Sequence, residues 1–162
     1  MRLLVVGGSA SNVGKTALAE FLVARESSVA RTVAMKVSVR EKPCELSVVI
    51  LADAGDAGHR RDSARLLEAG DIAVVWVTVS RREVRSGLGA GLRRARVARP
   101  DVLVIESTSA GIELKRIDES FFVAGEGEWK PWAEKHMHRA DRVLTSEQVT
   151  TLIDTRRLEA VP

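Results

Sequence analysis

GGSASNVGKT, residues 7–16, closes on the Gly-Lys-Thr of a phosphate-binding loop, yet its spacing is one residue out of step. The standard loop has a glycine, four free residues and then Gly-Lys-Ser/Thr. Counting back from Gly14 reaches Ser9, and the nearest glycine is Gly8. The flanking sequence decides the reading. Leu3 to Val6 is an apolar run of strand type, and Lys15 to Arg25 (KTALAEFLVAR) carries Leu18, Phe21 and Leu22 at helical spacing. Strand, tight loop and helix in that order aim a helix N-terminus, with its free N–H groups and positive dipole end, at an anion. In such a loop Gly14 lets the backbone approach the phosphates. Lys15 bridges the outer ones as the catalytic cation, and the Thr16 hydroxyl serves as a ligand to Mg²⁺. Ser9, Ala10, Ser11 and Asn12 are small, as a tightly wrapped loop requires. Gly8, Ser9, Ser11, Asn12, Val13, Gly14, Lys15, Thr16 and Ala17 are therefore expected to bind the nucleotide phosphates. The competing reading is an ordinary Gly/Ser turn that happens to start a helix.

Working outward, further β-branched runs read as strands: Val33 to Val39, Leu46 to Leu51, Ile72 to Val79 and Val102 to Ile105. Several are apolar at consecutive positions, the pattern of strands covered on both faces. Arg61 to Ala69 and Arg82 to Ala98 read as helices, the second weakened by Gly87, Gly89 and Gly91. Phe121 to Ala124 and Arg142 to Leu144 are candidate late strands, and Gln148 to Leu158 a closing helix. The expected fold is α/β: a P-loop NTPase three-layer sandwich with a mostly parallel central sheet and one antiparallel insertion, in a single domain over residues 1–162. The stretch from Ser107 to His138, broken by Gly125, Gly127 and Pro131, reads as containing a long loop.

A bound Mg²⁺ needs a carboxylate at the end of a neighbouring strand. VLVIESTS places Glu106 at the C-terminal end of an apolar strand, where ligands bind in open α/β sheets. VVILADAG places Asp53 similarly, although Asp53 also suits a turn in DAGDAG. Asp101 begins its strand and lies at the wrong end. Thr16, Asp53 and Glu106 are thus the candidate metal ligands.

Composition sets outer limits. The 162 residues are 45% hydrophobic and 29% charged, the balance of a globular chain, and no apolar run approaches a membrane span. The opening MRLLVVGG is too short for a signal peptide's apolar region, and the lone cysteine, Cys44, makes an internal disulfide impossible. A cytoplasmic location is the expectation. A net charge of +3 and a pI near 9.4 are mild, favouring small anions over nucleic acid. The arginines from Arg81 to Arg99 read as a solvated helix face, with Arg81 and Arg82 close enough to a strand end to meet phosphate. His136 and His138 alternate on a helix, which points their rings apart and argues against a metal pair. Trp129 and Trp132, in EWKPW, read as packing under a loop. Thr145 to Glu147 follows the last strand, where a base is often recognised, but no Asn-Lys-x-Asp accompanies it.

The chain resembles the molybdopterin-guanine dinucleotide biosynthesis protein B group of P-loop proteins. The likeness rests on SNVGKTALAEFLV, on HRRDSARLLEAGDIAVVWV at residues 59–77, and on DVLVIESTS. Its most discriminating part is Asp62, Ser63, Arg65, Ala69 and Gly70. The resemblance implies GTP as ligand, slow hydrolysis, homodimer formation, and assistance to a protein partner that attaches GMP to the molybdenum cofactor. Three features depart from that pattern: Lys36-Val37 where the group often has Lys-His, Ser107 where it has Gly, and a tail after Gly111 that matches nothing in it. A second, more distant resemblance is to the dethiobiotin synthetase and cobyrinate amidase group, whose loop has five residues between its glycine and Gly-Lys-Thr. Gly8 to Thr16 has that spacing. The partitioning ATPases, with an early lysine in KGGxGKT, are disfavoured because Ala10 stands at the matching position.

Three functional readings follow: a Mg²⁺-dependent nucleotide-binding protein with weak GTPase activity (ATP being the other candidate nucleotide), an ATP-dependent small-molecule ligase or kinase, and a nucleotide-controlled adaptor. For the second, Lys36 and the Ser107 to Gly111 loop are the candidate acceptor lining.

Overall fold

Apolar strands that cannot leave either face in water must be covered on both, and the chain achieves this by alternating strands with helices. In the computed structural model, which describes residues 1–52, 61–69, 73–130 and 132–159 (the side chains of 61–63 and 156–159 excepted), seven strands form one sheet. They are β1 (Arg2–Gly8), β2 (Thr32–Arg40), β3 (Ser47–Leu51), β4 (Val74–Ser80), β5 (Val102–Glu106), β6 (Glu119–Ala124) and β7 (Arg142–Thr145). The order across the sheet is β3-β4-β2-β5-β1-β6-β7, and every pair is parallel except β3 with β4. The expected mostly parallel sheet with one antiparallel member is what the chain forms.

The helices are α1 (Lys15–Ser27), α2 (Arg61–Ala69), α3 (Val84–Val97), α4 (Thr108–Glu113), α5 (Ala133–Met137) and α6 (Ser146–Glu159). Side chains alternate across a strand, so each strand feeds two cores. Leu4, Val6 and Val104 pack with Leu18 and Leu22 of α1, Leu66 of α2 and Val149 of α6. Val5, Met35 and Ile105 pack on the other face with Val84, Leu88 and Ala95 of α3 and Ala110 of α4. The glycines that weaken α3 as a helix have a packing reason. A Cβ at Gly91 would lie 2.7 Å from both Met35 Sδ and Val77 Cγ2, so their absence lets α3 sit close on the sheet.

The region from 107 to 138 departs from the long loop expected there. It holds α4 and α5 on either side of β6, with irregular stretches at residues 114–118 and 125–130. Polar helix-starting chemistry explains α4: Ser107, at the N-cap, accepts a hydrogen bond from the Ala110 N–H at 3.2 Å. A burial constraint explains α5. His136 is fully buried, and its ring occupies the space that a Cβ at Gly7 (2.1 Å from Nδ1) or at Gly111 (2.2 Å from Nε2) would need. Its Nε2 lies 2.9 Å from Ser120 Oγ, and it meets Phe122 edge-on at 5.6 Å. One imidazole thus joins β1, β6, α4 and α5 directly beneath the start of the 7–16 loop. His138 is exposed, so the two histidines do diverge as their alternation requires.

Burial, reinforced by the positive charge of Arg139, pushes the His136 imidazole down to about 4 from an ordinary value of 6.5. The unfolded chain therefore binds a proton between those two values that the folded chain does not, so stability falls as pH drops through that window. The expected loss is about 3 kcal/mol from pH 7 to pH 4, nearly flat above pH 7. Urea titrations across that range check it, and a His136→Leu variant should lose this part of the slope.

Candidate functional site

The loop between β1 and α1 is built from two positive-φ residues, Asn12 (φ 59°) and Gly14 (φ 99°). Asn is among the few side chains that accept this region readily, and Gly carries no penalty there. Gly8 ends β1 in a crowded place: a Cβ would fall 2.8 Å from the Val123 carbonyl oxygen and 2.9 Å from the Lys15 stem. Lys15 lies back across the loop, its Nζ donating to the Ala10 carbonyl.

Ser9, the residue that breaks the standard spacing, is fully buried and faces away from the cleft. Its N–H donates to the Val123 carbonyl at 3.0 Å, and its carbonyl accepts from the Lys130 N–H at 2.9 Å. Its hydroxyl accepts from the Gly125 N–H at 2.9 Å. Val13 is buried as well, and its carbonyl accepts from the Ser146 hydroxyl at 3.0 Å. Thr108 ties the other side: its hydroxyl accepts from the Gly8 N–H at 3.1 Å and donates to the Gly8 carbonyl at 3.0 Å. Gly8, Ser9 and Val13 thus hold the loop's shape, while Ser11, Asn12, Gly14, Lys15, Thr16 and Ala17 line a cleft of about 750 Å³.

Across the cleft, strand register brings two more groups together. Lys36 of β2 is aligned with Glu106 of β5, and both share the face on which α1 packs. Lys36 Nζ lies 3.2 Å from Glu106 Oε2, and the Thr16 hydroxyl donates to Glu106 Oε1 at 3.0 Å. Glu106 is only 7% exposed, so these two partners supply what a carboxylate on a buried strand needs. Asp53, the other candidate metal ligand, lies outside the described residues, as do Gly70 and the side chains of Asp62 and Ser63. Among the described residues no group of three His, Cys, Asp or Glu could hold a metal. A hydroxyl and a carboxylate in contact at the cleft wall are hard oxygen donors that fit Mg²⁺, which takes few protein ligands and completes its shell with phosphate and water.

The remaining wall comes from the ends of β2 and β4 and from the segment before α5. Arg81, just after β4, places its guanidinium 3.9 Å over the Trp132 ring, with Nη1 3.4 Å from Glu41. Both contacts are at the surface, where such a pair contributes at most about 1 kcal/mol and the stacking a similar amount. Arg65 of α2 also lines the cleft and bridges Glu20 of α1 at 2.8 Å. Arg82 is exposed and takes no part in the cleft lining. Trp129 packs on Phe122 at 5.7 Å, whereas Trp132 borders the cleft. Sequence reasoning missed the Lys36–Glu106 pair and the Trp132 stack. A lysine in the apolar run of β2 was the one signal available for the first, because an ammonium there needs a counter-charge.

No protein-family model matches the chain, and no curated protein matches it in sequence. Among solved structures it is similar to LpxK from Aquifex aeolicus, determined in complex with ATP, with a TM-score of 0.59 and 19% identity over 90% of this chain and 48% of that one. The chain therefore spans about half the length of that protein. The likeness bears on the fold alone, a mostly parallel seven-stranded sheet with helices on both faces.

Removing Lys36 leaves Glu106, among the described residues, with a hydroxyl and no counter-charge. Lys36→Met is expected to destabilise the protein by about 2–4 kcal/mol, less than a fully enclosed pair because the cleft admits water. Adding Glu106→Gln should recover part of that loss, and a double-mutant cycle in denaturant measures it. Ser9→Ala, which leaves the Gly125 N–H unpaired, is expected to cost about 1–3 kcal/mol in the same assay.

Proposed function

We propose that the chain binds a nucleoside triphosphate with Mg²⁺ on the 7–16 loop and hydrolyses it slowly. The observation that carries the reading is the contact between the Thr16 hydroxyl and the Glu106 carboxylate, 3.0 Å, at the point where α1 opens onto the cleft. A hydroxyl at a helix start and a strand-end carboxylate are the two protein ligands that a phosphate-bound Mg²⁺ takes in this kind of loop. When bound, Mg²⁺ would supply charge neutralisation at the outer phosphate oxygens. The chain's own residues do the rest. Gly14 to Ala17 present the helix N-terminus to phosphate, and Lys15, already lying along the loop, stabilises charge that develops on the transferred group. Arg65 and Arg81 are each held in an ion pair at the cleft wall, which accords with a slow unassisted rate.

GTP is the proposed nucleotide, on the resemblance to the molybdopterin-guanine dinucleotide biosynthesis protein B group. The same resemblance underlies a supporting role in molybdenum cofactor biosynthesis through a protein partner, and a homodimer. A single domain over residues 1–162 and a cytoplasmic location belong to the same proposal. Among the described residues no helix is long and apolar enough to cross a membrane. The second reading, an ATP-dependent ligase or kinase, draws support from the likeness to a protein solved with ATP and from the breadth of the cleft beyond the loop.

Calorimetry with GTP and ATP, with and without Mg²⁺, tests both. Lys15→Ala is expected to weaken binding roughly 10- to 100-fold, as the loss of a charge-assisted contact does. Glu106→Gln should abolish the Mg²⁺ dependence while sparing metal-free binding. Unchanged affinity in Lys15→Ala would sink the site assignment. Phosphate release that stays at background until a small carboxylate is added would favour the second reading.

A further inference from the structure

A triphosphate lying along α1 leaves one wall of the cleft without a task. That wall forms where the ends of β2 and β4 lie side by side, Arg40 aligned with Ser80, and it carries Ser38, Glu41, Arg81, Lys130 and Trp132. We propose that it is a second binding site, for a small ligand bearing a carboxylate or phosphate group, with Arg81 as its anchoring cation and Trp132 as the platform that orients it. The proposal rests on the reading of the loop as the nucleotide site, since it assigns the space that the nucleotide leaves.

Three observations carry it. The first is position: Arg81 follows β4 at the carboxyl edge of a parallel sheet, where open α/β folds bind their ligands. The second is preorganisation. Stacking at 3.9 Å on Trp132 fixes the plane of the guanidinium while its edge donors remain directed sideways, the geometry that engages a carboxylate or phosphate with two parallel bonds. Its present partner, Glu41, has a side chain 66% exposed and is held at 3.4 Å, a loose contact that an incoming oxyanion can replace with the same chemistry. The third is charge. Among the described residues, this wall carries two cations, Arg81 and Lys130, against the one carboxylate of Glu41. Lys130 makes no ion pair among the described residues, and the bond from its backbone N–H to Ser9 fixes its segment against the loop.

The test titrates the protein, saturated with Mg²⁺ and a non-hydrolysable nucleotide, with inorganic phosphate in one arm and succinate in the other, by calorimetry. Binding of at least one is expected, weakened about tenfold or more by Arg81→Ala and by Trp132→Ala and restored in part by Arg81→Lys. The arm that binds more tightly tells a phosphorylated ligand from a carboxylate. Nucleotide-free Lys15→Ala should keep the Arg81-dependent binding. The proposal is overturned if neither anion binds, or if bound nucleotide excludes both and Arg81→Ala has no effect, since the anions would then occupy the loop alone. Should wild type bind no nucleotide, the same titration of the free protein separates the two failures: Arg81-dependent binding would uphold the second site while the loop reading fell.

Discussion

A single buried carboxylate governs the geometry of the cleft. Glu106 ends a strand that is enclosed on every side, and its charge is tolerable only because an ammonium and a hydroxyl reach it from two different elements. The ammonium arrives through strand register and the hydroxyl through the docking of α1. That docking is in turn fixed by Leu18 and Leu22 lying on the face that carries Leu4, Val6 and Val104. The sheet order therefore has a chemical consequence. With β5 between β1 and β2, the end of β5 is flanked by the loop on one side and Lys36 on the other.

The architecture was legible in the sequence because consecutive apolar, β-branched positions can only be strands covered on both faces, and those strands alternate with helical spacing. The loop and Glu106 were legible for a similar reason, since their residue types have few alternatives in that context. What escaped was whatever depends on pairing between distant segments. Lys36 meets Glu106 through an alignment of β2 with β5 that nothing local encodes. The residues after Gly111 looked shapeless because α4 and α5 are five or six residues long and owe their existence to a cap and a buried histidine rather than to periodicity. Glycines misled in the same way. In a propensity argument those of α3 count against a helix, yet they are what bring it against Val77 and Met35.

Ser9 is the clearest instance of a motif residue whose role lies outside the motif's usual chemistry. It stands where the standard loop has glycine, but its hydroxyl and both its backbone polar groups face β6 and the 125–130 segment, not the cleft. The shift of the glycine by one place to Gly8 follows, because it is at Gly8 that the backbone passes closest to Val123 and the Lys15 stem. A serine here costs the loop nothing and ties it down.

Those ties span long stretches of chain: 100 residues from Gly8 to Thr108, 116 from Ser9 to Gly125 and 133 from Ser146 to Val13. Closing such large loops is entropically slow, and contacts of that separation form late on a folding route. The loop, made before the segments that fasten it, is therefore among the last parts to acquire its shape. A nascent chain that has not yet released β6 and α6 carries the complete motif but not the fastenings that shape it. The loop's shape is complete only once β6 and α6 have docked.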